Sequence, residues 1–491
     1  MGADGGWRIP DSGGRWLFAA ACIAVVAWTT ALLPSGCQGT SPSSRTPDLP
    51  RGVFDARADG SRGAVPSSPP SLAPSGPKRP PPPAMRPAVP AEEPVIRVRV
   101  ATIGAEPAVF SHPSGWLWLK PSGAGEGVTV RTPVSVVPAS DGWRVVESNG
   151  SRDASRMTIR SGDALEIQPP RGSAAELQWR GGSWPGNATL VPLSGDGPAA
   201  ADLVFAVPME TYLPGVLAKE LYKGWGPETY RAQAVAARSY ALCEHAWWQG
   251  RRHFDVVAGQ SSQAWIGATA DAASRGAVAD TRGEYLVFDG RVVPAYYSSC
   301  CGGAAASATD AIREGSWMDI APLSATDARF VRSKGCCEKA PTASWRVTLT
   351  SDDLARRLNA WAKEQGRGDL GTLSSVRSIS VADRNAAGRP TLYRIADASG
   401  RKAMWEAEDL RYAVNGGATG SRDTLKSGFV SPRVERGKVI LDGRGHGHGA
   451  GMCQYGAETM AKSGRSHREI LLRYYPGATV ETAASGGAEG R

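Results

Sequence analysis

The segment Met209–Ser239 contains a glutamate whose position suits proton transfer. Apolar residues recur there at helical spacing and mark one stripe of a helix: Leu213, Val216, Leu217 and Leu221. Glu220 lies on the same stripe, whereas Glu210 and Glu228 do not. A carboxyl group on a buried face loses water, which raises its pKa, and a general acid needs a raised pKa near neutral pH. The alternative is a helix-end glutamate that bends out to solvent or pairs with a base such as Lys219.

A glycine-rich segment near the C-terminus, 443–464, is the second candidate for chemistry. It contains His446, His448 and Cys453, so a thiol nucleophile with a histidine base, or a metal site that begins at the two histidines, is chemically allowed. The alternating glycines indicate tight turns and a close approach of the backbone to another group. A substrate-lining loop fits this composition best, with His448 or Gln454 as hydrogen-bonding residues. A cysteine hydrolase is disfavoured because no motif places a third orienting group.

The motifs around Glu220 resemble the signature of the stage II sporulation protein D family (SpoIID/LytB), whose members act on bacterial cell-wall glycan. The resemblance runs from about Val95 to Val480. The matching positions are Leu213, Gly215, Val216, Glu220, Trp225, Pro227, Ala232–Ala241, Gln263, Trp265, Gly267, Gly443–Gly464 and Ile470–Gly477. The chain departs from the family pattern at Tyr222, Trp265, His446 and Cys453, which stand where proline, tyrosine, an aromatic residue and serine are usual.

The resemblance implies a lytic transglycosylase, in which one glutamate serves as general acid and then as general base. Glu220 stands at that position, and the 6-hydroxyl of the sugar replaces water as nucleophile, so a second carboxylate is not required. The predicted substrate-binding residues are Arg238, Tyr240, Gln263, Trp265, His448, Gln454 and Tyr455. One alternative is a non-catalytic peptidoglycan-binding module or amidase enhancer. The other is a glycoside hydrolase with two carboxylates, for which Asp255 and Asp442 are available.

The N-terminus indicates export. A continuous apolar run, Trp16–Leu33, follows Arg8 and Arg15, and its length fits either a short membrane span or a long signal-peptide core. Residues 33–37 resemble a lipoprotein processing site with Cys37 as the lipidated residue, and an uncleaved anchor is the alternative. Both readings predict a membrane-anchored protein that faces the cell wall outside the cytoplasm.

Two adjacent cysteine pairs, Cys300–Cys301 and Cys336–Cys337, are candidates for a disulfide between their segments, because exported thiols are usually oxidised. Four thiolates are also a chemically allowed zinc site, although the sequence favours the disulfide. Some family members hold zinc with two cysteines and two histidines. The loop after Cys301 contains no histidine, so that pattern is not reproduced, and we expect no cofactor.

The elements that must position these residues form an α+β fold, since helices and strands mix without a regular βαβ rhythm. Residues 95–200 alternate apolar and polar side chains, as in half-buried strands. Two helices follow, the second opened by Pro227. Asp289–Gly290 predicts a hairpin between Glu284–Phe288 and Arg291–Ser299. The resemblance implies a helical part and strand-rich parts that flank a glycan groove.

The predicted organisation has five parts: a signal peptide or anchor (1–37), a disordered Pro/Ser/Gly-rich linker (38–94), a strand-rich part (95–200), a catalytic core (201–480) and a disordered tail (481–491). The net charge is +9, with 21% charged residues, and no basic run with interleaved aromatic residues appears. We therefore predict no nucleic-acid partner. The expected partners are peptidoglycan glycan strands, the membrane through the N-terminus, and other wall hydrolases.

Overall fold

The computed structural model describes residues 86–104, 106–122, 126–139, 142–147, 163–173, 175–193, 199–259, 262–313, 316–325 and 337–483, and two short strand segments, Ile9–Pro10 and Trp16–Leu17. Cys37, most of the predicted anchor, residues 38–85 of the predicted linker, Cys336 and residues 484–491 lie outside the described residues. In the part of the chain that the structure describes, the helices are all too short or too polar to span a bilayer.

Antiparallel strands make up the N-terminal part. They are β1 (Val95–Ile103), β2 (Ala108–Ser111), β3 (Trp116–Pro121), β4 (Val128–Arg131), β5 (Val134–Ala139), β6 (Gly142–Glu147), β7 (Leu165–Gln168), β8 (Leu177–Trp179), β9 (Gly182–Trp184), β10 (Asn187–Pro192) and β11 (Ala201–Pro208). One sheet has the order β9-β8-β2-β5-β6, and the other includes β1-β11-β10-β7-β3-β4. The alternation in β1 places Ile96 and Val98 in the core, as predicted.

The central part begins where β11 runs directly into α1 (Met209–Glu220). A short break leads to α2 (Pro227–Trp248), and Pro227 occupies its first turn, so both predicted helices are confirmed. Small residues along α2 are buried and allow close packing: Ala232, Ala234, Ala236, Ala237 and Ala241. The short strand β12 (Val256–Val257) then joins the larger sheet in parallel with β1, and α3 (Ala272–Asp280) follows.

The predicted hairpin consists of β13 (Glu284–Phe288) and β14 (Arg291–Val292). Asp289 and Gly290 have φ values of 51° and 65°, which the predicted tight turn requires. The prediction that the second strand continues to Ser299 is wrong. Pro294 cannot donate a hydrogen bond to the ladder, so the pairing ends at Val292. The next strand, β15 (Tyr297–Ser298), pairs elsewhere, and α4 (Ala308–Ala311) follows.

Residues 345–443 build a second hydrophobic core. Its elements are β16 (Trp345–Thr350), α5 (Ser351–Glu364), β17 (Val376–Arg384), β18 (Pro390–Asp397), β19 (Lys402–Glu406), α6 (Ala407–Gly416), β20 (Val430–Glu435) and β21 (Lys438–Gly443). The strands form two small sheets, β16-β21-β20 and β17-β18-β19. The predicted catalytic core 201–480 therefore contains a segment with a core of its own.

The chain then returns to the first core through β22 (Met452–Cys453), α7 (Gln454–Lys462), α8 (His467–Tyr474) and β23 (Thr479–Thr482). β22 lies parallel to β15, and β23 completes the hairpin sheet in the order β14-β13-β23. Helices and mainly antiparallel strands therefore pack together in each of the two cores, and the predicted α+β class is confirmed. The return brings the glycine-rich segment back to the two central helices.

Candidate active site around Glu220

Glu220 is the last residue of α1, and its side chain is 2% exposed. The apolar stripe of the helix packs into the first core with Leu213, Val216 and Leu217 fully buried. The carboxyl group follows that stripe inward, which confirms the predicted burial and excludes the solvent-exposed alternative.

Two N–H donors hold the two carboxyl oxygens. The backbone N–H of Ala264 donates to Oε1 at 3.1 Å, and Nε2 of Gln454 donates to Oε2 at 3.3 Å. Nε2 of Gln454 also lies 3.4 Å from Oε1 of Gln233 on α2. Burial dominates over these hydrogen bonds and raises the pKa of Glu220 to about 7. The group is therefore available both as an acid and as a base at neutral pH.

Gln263 positions the loop that carries Ala264. It is buried; its Oε1 accepts from the Tyr212 hydroxyl at 3.1 Å, and its Nε2 donates to the Ala237 carbonyl and to the Tyr297 hydroxyl. Both the oxygen and the nitrogen of the Gln263 amide therefore form hydrogen bonds with protein groups. Gln263 was predicted to bind substrate, but in the structure it holds the loop whose Ala264 N–H donates to Glu220.

Trp265, also predicted to contact sugar, belongs to the core. It is 4% exposed, and its ring lies 5.2 Å from that of Trp184 and 5.6 Å from that of Tyr212. Gly215 makes this packing possible, since a Cβ there would lie 2.6 Å from Nε1 of Trp265 and 2.1 Å from the Gly267 carbonyl. The close approach of the Trp265 indole to α1 therefore explains why the motif has glycine at position 215.

Arg238 is fully buried and does not face a groove. Its Nε and Nη2 donate to the two carboxyl oxygens of Glu210 at 2.9 and 2.7 Å, and Nη1 donates to the Glu284 carbonyl. The prediction of a substrate-binding role is therefore corrected: the guanidinium ties α2 to α1 and to β13. Tyr240, two residues later on α2, is 6% exposed and packs edge-on against Tyr296, so it is a core residue as well.

The glycine-rich segment brings Gln454 to Glu220, but it buries His448. Nδ1 of His448 accepts the Ala450 N–H at 3.0 Å, and burial lowers the pKa of His448 to about 3. His448 is therefore a neutral residue that fixes the turn, in place of the predicted sugar contact. Gln454 is also buried, so it acts on Glu220 and not directly on a ligand.

Comparison with known proteins places this site in a described family. The sequence model of SpoIID, described as stage II sporulation protein, matches residues 199–288. Residues 199–288 of this chain are therefore similar to the SpoIID family. The matched stretch contains α1, α2 and β13, and therefore Glu220, Gln263 and Arg238.

Relatives extend the SpoIID similarity over about half of the chain. The amidase enhancer of Bacillus subtilis (strain 168) is 27% identical over 302 residues, which cover 55% of this chain and 40% of the relative. An uncharacterised protein of Brachyspira hyodysenteriae (strain ATCC 49526 / WA1) is 28% identical, covering 55% and 66%. The stage II sporulation protein D of Bacillus amyloliquefaciens is 24% identical, covering 57% and 76%. The chain thus spans less than half of the amidase enhancer.

An aromatic cluster beside Glu220 in the sequence was not predicted as a unit. The rings of Tyr222, Trp225 and Tyr455 are half-buried, and their centroids lie 5.1 to 5.9 Å apart. Tyr222 follows Glu220 by two residues, and Tyr455 follows Gln454 directly. The cluster is therefore close in sequence to both Glu220 and Gln454, and of the predicted substrate residues Tyr455 is the most accessible. In the sequence, the only indication of this cluster was that Tyr222 and Trp225 follow Glu220 closely.

The two carboxylates considered for a hydrolase are engaged elsewhere. Asp255 is fully buried and bonds Arg97 and His245, with its Oδ2 2.9 Å from Nδ1 of His245. Asp442 pairs with Arg346 and Arg433 on the second core. Neither carboxylate forms a hydrogen bond with Glu220 or Gln454 in the part of the chain that the structure describes.

The described cysteines of the predicted disulfide do not bond to one another. The sulfur atoms of Cys301 and Cys337 lie 3.7 Å apart, whereas a disulfide bond is about 2.05 Å long. Cys336, the fourth candidate, lies outside the described residues, so a disulfide through Cys336 stays a prediction. Cys453 of β22 joins the group, and its sulfur lies within 4.8 Å of those of Cys300 and Cys337.

The raised pKa of Glu220 predicts that stability falls as pH rises. The folded state holds the proton up to about pH 7, whereas the ordinary value is 4.5, so between these values the folded state binds more protons than the unfolded state. Relative to a Glu220→Gln variant, the wild type should lose roughly 3 kcal/mol of unfolding free energy between pH 4.5 and pH 8. Urea denaturation of both proteins across this range measures the difference. A pH-independent difference would contradict the burial of an ionisable group here.

Proposed function

We propose that this protein is an extracytoplasmic lytic transglycosylase that cleaves the glycan strands of peptidoglycan, with Glu220 as general acid and then as general base. The observation that carries the proposal is the isolation of one buried carboxyl group, held by Ala264 and Gln454, at the position of the family's glutamate. The similarity of residues 199–288 to the SpoIID family supports a role at the cell wall.

The reaction needs one group that gives a proton and takes one back. Glu220 donates its proton to the glycosidic oxygen as the bond between that oxygen and C1 breaks. The 6-hydroxyl oxygen of the same sugar bonds to C1, and its proton passes to the Glu220 carboxylate, which restores the acid. No water is consumed, so the product ends in an anhydro sugar. A pKa of about 7 suits both steps, since neither protonation state is strongly favoured.

The surroundings of Glu220 support this cycle. The donors Ala264 N–H and Gln454 Nε2 stabilise the carboxylate that forms after proton donation, and they are held by Gln263 and Gln233. The aromatic cluster of Tyr222, Trp225 and Tyr455 offers the half-exposed ring faces that sugars commonly stack on. We assign the glycan-binding surface to this cluster in place of Arg238 and Trp265.

The alternative function is enhancement of a wall amidase without cleavage of glycan. The specific observation in its favour is the similarity to a protein named amidase enhancer. The isolated buried acid favours catalysis, because a binding surface alone has no need of a carboxyl group removed from water at a cost in stability.

Product analysis tests the proposal. Purified glycan strands, with and without peptides, are incubated with the full-length protein, and the products are analysed by mass spectrometry. We expect fragments with anhydro ends, lighter by one water than the hydrolysis products. Hydrolysed ends would establish a hydrolase instead. Intact glycan, together with faster peptide release when an amidase is added, would establish the enhancer function.

A further inference from the structure

Four buried cysteine thiols converge beside the glycine-rich segment. The sulfur atoms of Cys300, Cys337 and Cys453 all lie within 4.8 Å of one another, and that of Cys301 lies 3.7 Å from that of Cys337. Thiolates that bind zinc at about 2.3 Å in tetrahedral geometry are separated by about 3.8 Å. Cys300, Cys337 and Cys453 therefore have the spacing of three thiolates on one metal ion, and Cys301 stands next to them as a fourth sulfur.

Three separate chain segments deliver these thiols. β15 and β22 pair in parallel with Ser298 opposite Cys453, which sets the cysteines after β15 next to β22. The backbone of Cys300 exchanges two hydrogen bonds with His446, at 3.1 and 2.8 Å. Cys337 comes from the segment that precedes β16. A bound metal ion would join the segments at one point.

The Cys453 sulfur is the best-connected member of the cluster. It accepts the N–H groups of Cys301 and Gly456 at 3.4 and 3.3 Å, and it caps the N-terminus of α7. The neighbouring thiols and burial raise the pKa of Cys453 well above its usual value, so a bound cation would be needed to hold this sulfur as a thiolate.

A buried cation lies next to the cluster. Arg389 is 3% exposed, and its Nη1 donates to the Cys301 carbonyl at 3.2 Å. Its Nη2 has no hydrogen-bond partner, and the carboxylate of Glu408 acts on this guanidinium only from beyond ion-pair distance among the described residues. A buried guanidinium that is only partly compensated is costly. A divalent ion with four thiolates carries a net negative charge, which would compensate Arg389.

We propose that Cys300, Cys301, Cys337 and Cys453 bind one divalent metal ion of the zinc class as a structural site. An all-sulfur tetrahedral donor set selects zinc over magnesium or calcium, and four protein ligands leave no open position for chemistry. The set differs from the two cysteines and two histidines of some family members. Among the described residues, the cluster of potential ligands contains cysteines alone.

The site also positions the candidate active site. Cys453 directly precedes Gln454, whose Nε2 donates to Glu220 and contacts Gln233. A metal ion that fixes Cys453 would fix the start of α7 and therefore Gln454. This consequence rests on the proposed function, whereas the metal content of the protein does not and is measured without substrate.

Metal analysis of the full-length protein tests the proposal. The wild type and the variants Cys453→Ser, Cys337→Ser and Cys336→Ser are purified without chelator, and their zinc content is measured by mass spectrometry. We expect roughly one zinc per chain in the wild type and in Cys336→Ser, which is the matched control. Zinc affinity in Cys453→Ser and Cys337→Ser should fall by at least roughly tenfold. Serine is the usual family residue at position 453, so the fold should tolerate that change.

Two measurements on the wild type decide the outcome even if a variant does not fold. Metal-stripped protein titrated with Co²⁺ should develop thiolate-to-cobalt absorption that saturates at one equivalent, and a chelator should lower the melting temperature. Protein that contains no zinc and binds no cobalt would overturn the proposal. A melting temperature lowered by reductant but not by chelator would establish a disulfide instead. Zinc loss in Cys336→Ser alone would show that the ligand set is wrong.

Discussion

Glu220→Gln is expected to lower the rate of glycan cleavage by roughly a hundred- to ten-thousand-fold, while the protein remains folded. The substitution keeps the volume of the side chain and the acceptor for the Ala264 N–H, but it removes the proton that the glycosidic oxygen must receive. Binding of glycan should change little, because the half-exposed aromatic cluster is untouched. The release of anhydro-terminated fragments measures the rate, and sedimentation with insoluble peptidoglycan measures binding.

Glu435→Gln provides the control for this experiment. Glu435 is an exposed carboxylate that pairs with Arg433 on the second core, so its loss should leave turnover unchanged. Full activity in Glu220→Gln would disprove the role of Glu220 as the acid. Loss of activity in both variants, with altered circular dichroism, would point to misfolding.

Arg238→Leu is expected to lower the free energy of unfolding by about 3–5 kcal/mol. The guanidinium is fully buried and makes a bidentate ion pair with Glu210, so its removal leaves a carboxylate that is only about 10% exposed without its partner. The pair joins α2 to the start of α1, the helix that ends at Glu220. Denaturation in urea, followed by fluorescence, measures the loss.

Arg231→Leu is the matched control, since Arg231 lies two turns earlier on the same helix. Its ion pairs with Glu228 and Asp280 are partly exposed, and we expect a loss below about 1 kcal/mol. A double variant, Arg238→Leu with Glu210→Leu, should recover part of the stability, because it removes the unpaired charge. Weakened glycan binding at unchanged stability in Arg238→Leu would restore the substrate-binding role that the sequence indicated.

The local features of this protein were determined by the sequence. The 3.6-residue period places Glu220 on the same stripe as Leu213 and Val216, and that stripe is buried. The Asp289–Gly290 turn and the start of α2 at Pro227 also follow from single residues whose backbone preferences are strong. The motif similarity then connected the buried acid with a family, and the SpoIID model matches the segment that contains Glu220.

The partners of these residues were decided by the tertiary structure. Arg238 pairs with Glu210, which lies 28 residues earlier in the sequence, and the Cys453 sulfur accepts the N–H of Cys301, which lies 152 residues earlier. The period of apolar residues in a helix or strand predicts which face of the element is buried, but it does not predict which residues pack against that face. Arg238, Trp265 and His448 were therefore predicted as groove residues although they are buried. Gln454 reaches Glu220 only because the chain returns to the first core after residue 443, and that return depends on packing between distant segments.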